Sequence, residues 1–127
     1  MKVILADAAH TFVDIEGKIF DEMYRLLEEY PNKKIILTSA NDEQYQKYGL
    51  DKMPYEVFTL KHNPEKSDPK YFEVMLKKFC LSRDDVIYFE HNLEAINGAQ
   101  LAGIKTYHYD ENKKDLVGLK KFLDDNL

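Results

Sequence analysis

The sequence predicts a three-layer α/β sandwich, in which a five-stranded, mainly parallel sheet is covered by helices on both faces. Two observations predict it. Five short strand-like runs recur along the chain, at Val3–Ala6, Ile35–Thr38, Glu56–Leu60, Val86–Phe89 and Thr106–Tyr109, and segments of helical period separate them. Strand–helix alternation of this kind, closed by right-handed crossovers, gives a Rossmann-like parallel sheet. The length of 127 residues sets the scale, because a chain of this size forms one core and does not split. A single domain spanning residues 1–127 is expected.

Each element has a local reason. The first, second and fourth runs are continuously apolar and rich in β-branched residues, as strands buried on both faces must be. The third and fifth are more polar and belong at the sheet edges. Ile19, Phe20, Met23, Leu26, Leu27 and Tyr30 line one side of a helix that Pro31 stops. Asp42 to Gly49 is a short polar helix at best. Asp68-Pro69 starts another helix, with Phe72, Met75, Leu76 and Phe79 on its apolar face. Leu93, Ile96 and Ala99 form a further stripe, ending before Gly103 in position for a C-cap. Leu116, Leu119 and Leu123 mark a C-terminal helix.

Composition narrows the classes of function. A single cysteine, Cys80, excludes a disulfide framework or a cysteine zinc cluster and fits a reducing, cytoplasmic setting. Flanked by Phe79 and Leu81, it reads as a buried small hydrophobe. A net charge of −5, from 18 basic and 23 acidic residues, gives no electrostatic reason to expect nucleic acid or an anionic membrane as partner. No apolar run approaches the roughly 20 residues of a bilayer span, and Met1–Ala6 is too short for a signal-peptide core. His62 and His108 have no partner in register and are expected on a solvated loop and an edge strand. The tyrosines read as half-buried packing.

The crossover rule places the loops after each strand on the carboxyl edge of the sheet, where such folds bind ligands. Asp7 follows the first strand, Thr38 and Ser39 end the second, Lys61, His62 and Lys66 lie in the loop after the third, and Glu90-His91-Asn92 end the fourth. A carboxylate, a hydroxyl, an ammonium and a second acidic group in one crevice suit phosphoryl chemistry. Turn and cap chemistry also puts Asp, Asn and Ser at strand ends, so position alone does not establish a site.

Order and spacing add to position. Val3–Asp14 resembles the first motif of the haloacid dehalogenase-like (HAD) superfamily, an apolar strand followed by Asp-x-Asp-Gly-Thr. Ile35–Ser39 resembles the second, and Glu65–Phe72 is similar to the third, Lys-Pro-Asp-Pro. Val86–Asn92, continuing through Gly98-Ala99 to Gly103-Ile104, resembles the fourth. The four appear in order and cover essentially the whole chain. The resemblance implies a HAD-like core with Asp7 as nucleophile, Thr38 as phosphate ligand and Lys66 as the cation that neutralises phosphate and steadies Asp7. It also implies a magnesium site around Asp7, the Ala9 carbonyl, Glu90 and the His91 position.

Two departures weigh on activity. The second Asp of the first motif, the family's general acid/base, is Ala9, and acid–base help is worth roughly 10²–10⁴ in rate. The metal-binding Asp of the fourth motif falls on His91, a poor magnesium ligand because Mg²⁺ prefers oxygen donors. Glu90 is expected to reach inward in compensation; a transition-metal set of Asp7, His10 and His91 is a less favoured option. His10 stands where the motif usually has Gly, at the mouth of the site. The segment between the first motif and the second strand reads as flap plus helix, too short for a cap domain, as is the gap between the second and third motifs. Capless members usually take larger substrates or borrow a neighbouring subunit. The expected function is a HAD-like hydrolase of the phosphohydrolase type with a weakened magnesium site. Its partner would be a phosphorylated small molecule or macromolecule, and a homo-oligomer is compatible. The alternative is a catalytically inactive binding or scaffold protein on the same fold. A phosphorelay receiver is rejected, because it needs an acidic pair after the first strand and an Asp ending the third.

Overall fold

The computed structural model describes the whole chain, Met1–Leu127. Its elements run β1 (Val3–Asp7), α1 (Asp21–Glu28), β2 (Lys34–Thr38), α2 (Asp42–Lys47), β3 (Glu56–Thr59), α3 (Pro69–Lys78), β4 (Val86–Glu90), α4 (Leu93–Leu101), β5 (Lys105–His108) and α5 (Leu116–Asn126). Single 3-10 turns at Leu50–Lys52 and Arg83–Asp85 precede β3 and β4. The sheet order is β3-β2-β1-β4-β5, and all pairings are parallel, so the sheet is wholly rather than mainly parallel. The two polar runs are the edge strands, as their composition requires. No helix is long and apolar enough to cross a membrane.

Period-two alternation splits the central strands between two cores. Ile4, Ala6, Ile36, Ile87 and Phe89 face Met23, Leu27, Leu119 and Leu123 of α1 and α5. Val3, Leu5, Ile35, Leu37, Val86 and Tyr88 face Tyr71, Phe72 and Met75 of α3 and Ala99 of α4. Each fully buried Leu, Ile or Phe in these layers contributes about 1.5–3 kcal/mol.

Caps set the helix bounds. Asp68 accepts from the Lys70 amide with Pro69 at the first helical position, Asn92 accepts from Glu94 and Ala95, and Asn41 forms a capping box with Gln44. The first apolar stripe is longer than its helix: Ile19 and Phe20 belong to the turn before α1. Cys80 is exposed, contrary to expectation. It follows α3 in the left-handed conformation (φ 56°), and this helix-ending turn carries it out of the apolar stripe.

The chain builds outward from β1 on one side through β2 and β3, then returns to add β4 and β5 on the other. The gap between β1 and β4 is therefore the topological switch point, where parallel sheets open a crevice at their carboxyl edge. After β1 the chain folds into a tight flap. The Phe12 and Val13 amides donate to the Ala8 carbonyl, and Val13 bridges Ala9 and Ile19. Phe12 and Val13 are buried and pin the flap to the core. No cap-sized insertion interrupts the elements.

Candidate active site

Asp7 and Glu90 end the two strands that flank the switch point. Asp7 is in phase with Val3 and Leu5, and Glu90 with Val86 and Tyr88, so both carboxylates lie on the α3/α4 side of the sheet. Lys66 comes from the loop that leads into α3. That loop runs close over α4 at Gly98, where a Cβ would collide with the backbone carbonyls of Lys66 and Ser67. Gly98 thus lets the loop sit low enough for Lys66 to enter the crevice.

Lys66 Nζ lies 2.7 Å from Asp7 Oδ1 and 2.7 Å from Glu90 Oε1, with the Leu37 carbonyl and the Tyr88 hydroxyl each at 3.3 Å. The second oxygen of Asp7 accepts from Thr11 Oγ1 at 2.8 Å and meets His91 Nδ1 at 2.5 Å. His91 Nδ1 is also 3.2 Å from Glu90 Oε2, which accepts from the Asn92 amide at 3.1 Å. The Tyr88 hydroxyl donates to Glu90 Oε1. All four carboxylate oxygens of Asp7 and Glu90 thus face donors of the chain itself, and no buried side-chain polar atom lacks a partner.

This packing shifts the charges. Burial would raise the Asp7 carboxyl, but the Lys66 ammonium and the His91 hydrogen bond hold it well below the usual carboxylate range. Burial works against the charged Lys66, yet Asp7 and Glu90 carry it above the ordinary lysine value. Burial and the neighbouring Asp7 raise Glu90, with Lys66 opposing them. His91 loses solvation too, but its hydrogen bonds to Asp7 and Glu90 lift it from 6.5 to about 10.

The cluster floors a crevice of about 340 Å³, whose walls include Ala9, Thr38, Ser39 and Asn92, within the size range of small-ligand sites. The Thr38 hydroxyl accepts from the Ala40 amide at 3.2 Å, which leaves its proton to donate. Asp7, Thr38, Lys66, Glu90, His91 and Ala9 are brought together as the sequence anticipates, and Glu90 does reach inward. His10 stands apart: its ring centroid is 5.3 Å from that of His91, but its Nδ1 faces Glu111 at 3.4 Å. The three groups that could share one ion are Asp7, Glu90 and His91, with ligand atoms within 4.8 Å of one another, and His10 is not among them.

Three further residues belong to the site. Thr11 and Tyr88 bond the two carboxylates, and Tyr88 was legible from its place two residues before Glu90 on one strand face. Thr11 lies four residues after Asp7, a spacing that means nothing until the flap folds it back. His62, expected to be unpartnered, bridges the rim: its Nδ1 is 2.7 Å from Glu65 Oε1 and its Nε2 is 2.6 Å from Gln44 Oε1. These contacts tie the Lys66 loop to α2, a pairing that no local sequence pattern announces. His108, on its edge strand as expected, meets the His91 carbonyl through Nε2 at 2.8 Å.

No protein-family model and no curated protein sequence matches the chain. Solved structures do match. A HAD family enzyme from Bacteroides thetaiotaomicron, crystallised as an aspartate-to-alanine mutant with magnesium and inorganic phosphate, aligns with a TM-score of 0.70 at 11% identity, over 87% of this chain and 95% of its own. A conserved haloacid dehalogenase-like protein from Agrobacterium tumefaciens aligns with a TM-score of 0.67 at 14% identity, over 97% of this chain and 99% of its own. At such identities the likeness is one of fold, and it spans nearly the whole of both partners. The chain has the fold of the haloacid dehalogenase-like enzymes.

Proposed function

We propose that the chain is a phosphohydrolase of low turnover that works through Asp7. The observation that carries this reading is the meeting of Asp7, Lys66 and Thr38 in one crevice at the switch point. In this scheme a carboxylate oxygen of Asp7 attacks phosphorus and the ester oxygen departs with its bonding pair. Water then attacks the aspartyl phosphate, which releases phosphate and restores the carboxylate. Lys66 supplies positive charge beside the attacking carboxylate, and the Thr38 proton is placed to hold a phosphate oxygen. The methyl group of Ala9 gives the leaving oxygen no proton and the water no base, so each step runs without acid–base help.

Magnesium, present with the Bacteroides neighbour, does not suit this donor set. A divalent ion needs free, hard oxygen ligands and surplus negative charge. Here each carboxylate oxygen already holds a donor of the chain, and the Lys66 ammonium is shared between the two carboxylates.

A second reading, an inactive phosphate-binding protein, is favoured by the full engagement of both Asp7 oxygens and by Ala9. Turnover of an aryl phosphate by wild type and Asp7→Asn separates the two. Slow hydrolysis that disappears with Asp7→Asn supports the enzyme. Phosphate binding without hydrolysis supports the binding protein and overturns the first reading.

A further inference from the structure

We propose that the Lys66 ammonium and the His91 ring, by engaging both carboxylates, take the place of a divalent cation, so that the crevice holds phosphate without a metal and excludes one. The proposal rests on the reading of the crevice as a phosphoryl site. His91 Nδ1 lies between the two carboxylates, 2.5 Å from Asp7 Oδ2 and 3.2 Å from Glu90 Oε2. Each acid thus spends one oxygen on the same ring nitrogen. The other oxygen of each acid is 2.7 Å from Lys66 Nζ. The Lys66 ammonium and the His91 ring thus clasp the two carboxylates from opposite sides, and together with Thr11, Tyr88 and the Asn92 amide they leave none of the four oxygens free for an ion.

The arrangement is built rather than incidental. The His91 carbonyl meets His108 Nε2 on β5, and Thr11 Oγ1 lies 3.3 Å from His91 Nδ1 while donating to the oxygen of Asp7 that His91 meets. The Asn92 cap fixes the start of α4 directly after His91. The ring is therefore held on its main chain from β5 and α4 and at its nitrogen from the flap. Phosphate entering beside Thr38 would find the Lys66 ammonium and the ring nitrogen of His91 already in place.

Manganese binding followed by electron paramagnetic resonance, and phosphate binding followed by imidazole ¹⁵N shifts, test this. Wild type is expected to bind no Mn²⁺ at millimolar concentration and to take up inorganic phosphate equally in EDTA and in Mg²⁺. His91→Asp, which replaces a ring nitrogen with a carboxylate beside both acids, is expected to gain Mn²⁺ affinity of at least about 100-fold. Stoichiometric Mn²⁺ binding by wild type that Asp7→Asn removes would overturn the proposal, as would His91→Asp that binds no better than wild type. If the variant does not fold, the wild-type His91 ring signals decide: unmoved by Mg²⁺ they support the proposal, and shifted by it they overturn it. Metal exclusion in a protein without aryl phosphate turnover would sink the hydrolase reading and leave this one standing.

Discussion

His91 Nδ1 and Asp7 Oδ2 meet at 2.5 Å across the switch point, joining the end of β1 to the first residue past β4. The contact couples two groups that the sheet alone would leave facing solvent at separate strand ends. It also makes the ionisation of each depend on the other: the carboxylate holds the imidazolium charged, and the imidazolium helps hold the carboxylate.

Stability should therefore fall on the alkaline side of neutrality. His91 has its folded-state value raised from 6.5 to about 10, so its contribution is complete below pH 6.5 and is lost as pH rises through 10. Asp7 behaves oppositely: its value is lowered from 3.8, and its contribution is present above that pH and lost in acid. Glu90, raised from 4.5, weighs against folding once ionised and offsets part of the Asp7 contribution. Urea midpoints of wild type should decline between pH 6.5 and 10. His91→Asn should start from a lower midpoint at neutral pH and show a flatter decline; an unchanged slope would remove His91 as the cause.

Lys66→Met should destabilise the protein by about 3–5 kcal/mol, the usual result of removing one member of a buried ion pair. Lys66 Nζ is the donor that Asp7 Oδ1 and Glu90 Oε1 share, and without it the two acids are left with His91 alone between them. Chemical denaturation checks the loss. Protonating an acid relieves their repulsion, so the variant should also recover part of its deficit near pH 4.5, the ordinary value of a glutamate. A deficit below about 1 kcal/mol would mean that the pair is solvated as surface pairs are.

The frame of this site was readable from the chain because it rests on local rules. Apolar β-branched runs gave the strands, and crossover handedness put the ends that carry Asp7 and Glu90 on one edge. Position alone left Lys66 beside Lys61 in the loop after the third strand, and the likeness of Glu65–Phe72 to a family motif singled it out. The network around these residues was not, since hydrogen bonds across distant segments leave no periodic trace. Thr11 needs the flap to fold back, His62 needs α2 and the Lys66 loop to meet, and Cys80 needs the left-handed turn after α3. His91 was seen as a substitution for an acid. That it faces both remaining acids required coordinates.

Gly98→Ala should act on the site from a distance. Its methyl group would press against the Lys66 and Ser67 carbonyls, which are backbone and cannot rotate away. The Lys66 loop must lift or α4 must shift, at a cost of about 1–3 kcal/mol. Because Lys66 rides on that loop, phosphate affinity should drop together with stability, as measured by calorimetry and denaturation on one sample. Gly118→Ala is the control in α5: its Cβ would collide with the side chains of Tyr107 and Asp115, well outside the crevice. Destabilisation there should leave phosphate affinity unchanged, and equal losses in both variants would refute a specific role for Gly98.

Ala9→Asp should raise turnover. Ala9 lines the crevice with Asp7 and is fixed by its bridge to Val13, so a carboxyl group at this position would stand beside the proposed nucleophile on a braced flap. A carboxyl group there can protonate the departing ester oxygen and then take a proton from the attacking water, help worth roughly 10²–10⁴ in rate. The gain should appear in kcat for an aryl phosphate and be larger for a poor leaving group, which depends more on protonation. It should vanish when Asp7→Asn is added, because acid–base help has nothing to assist without the nucleophile. A variant that folds, binds phosphate and hydrolyses no faster would show that the engagement of Asp7 by Lys66, Thr11 and His91, rather than the missing acid, limits the reaction.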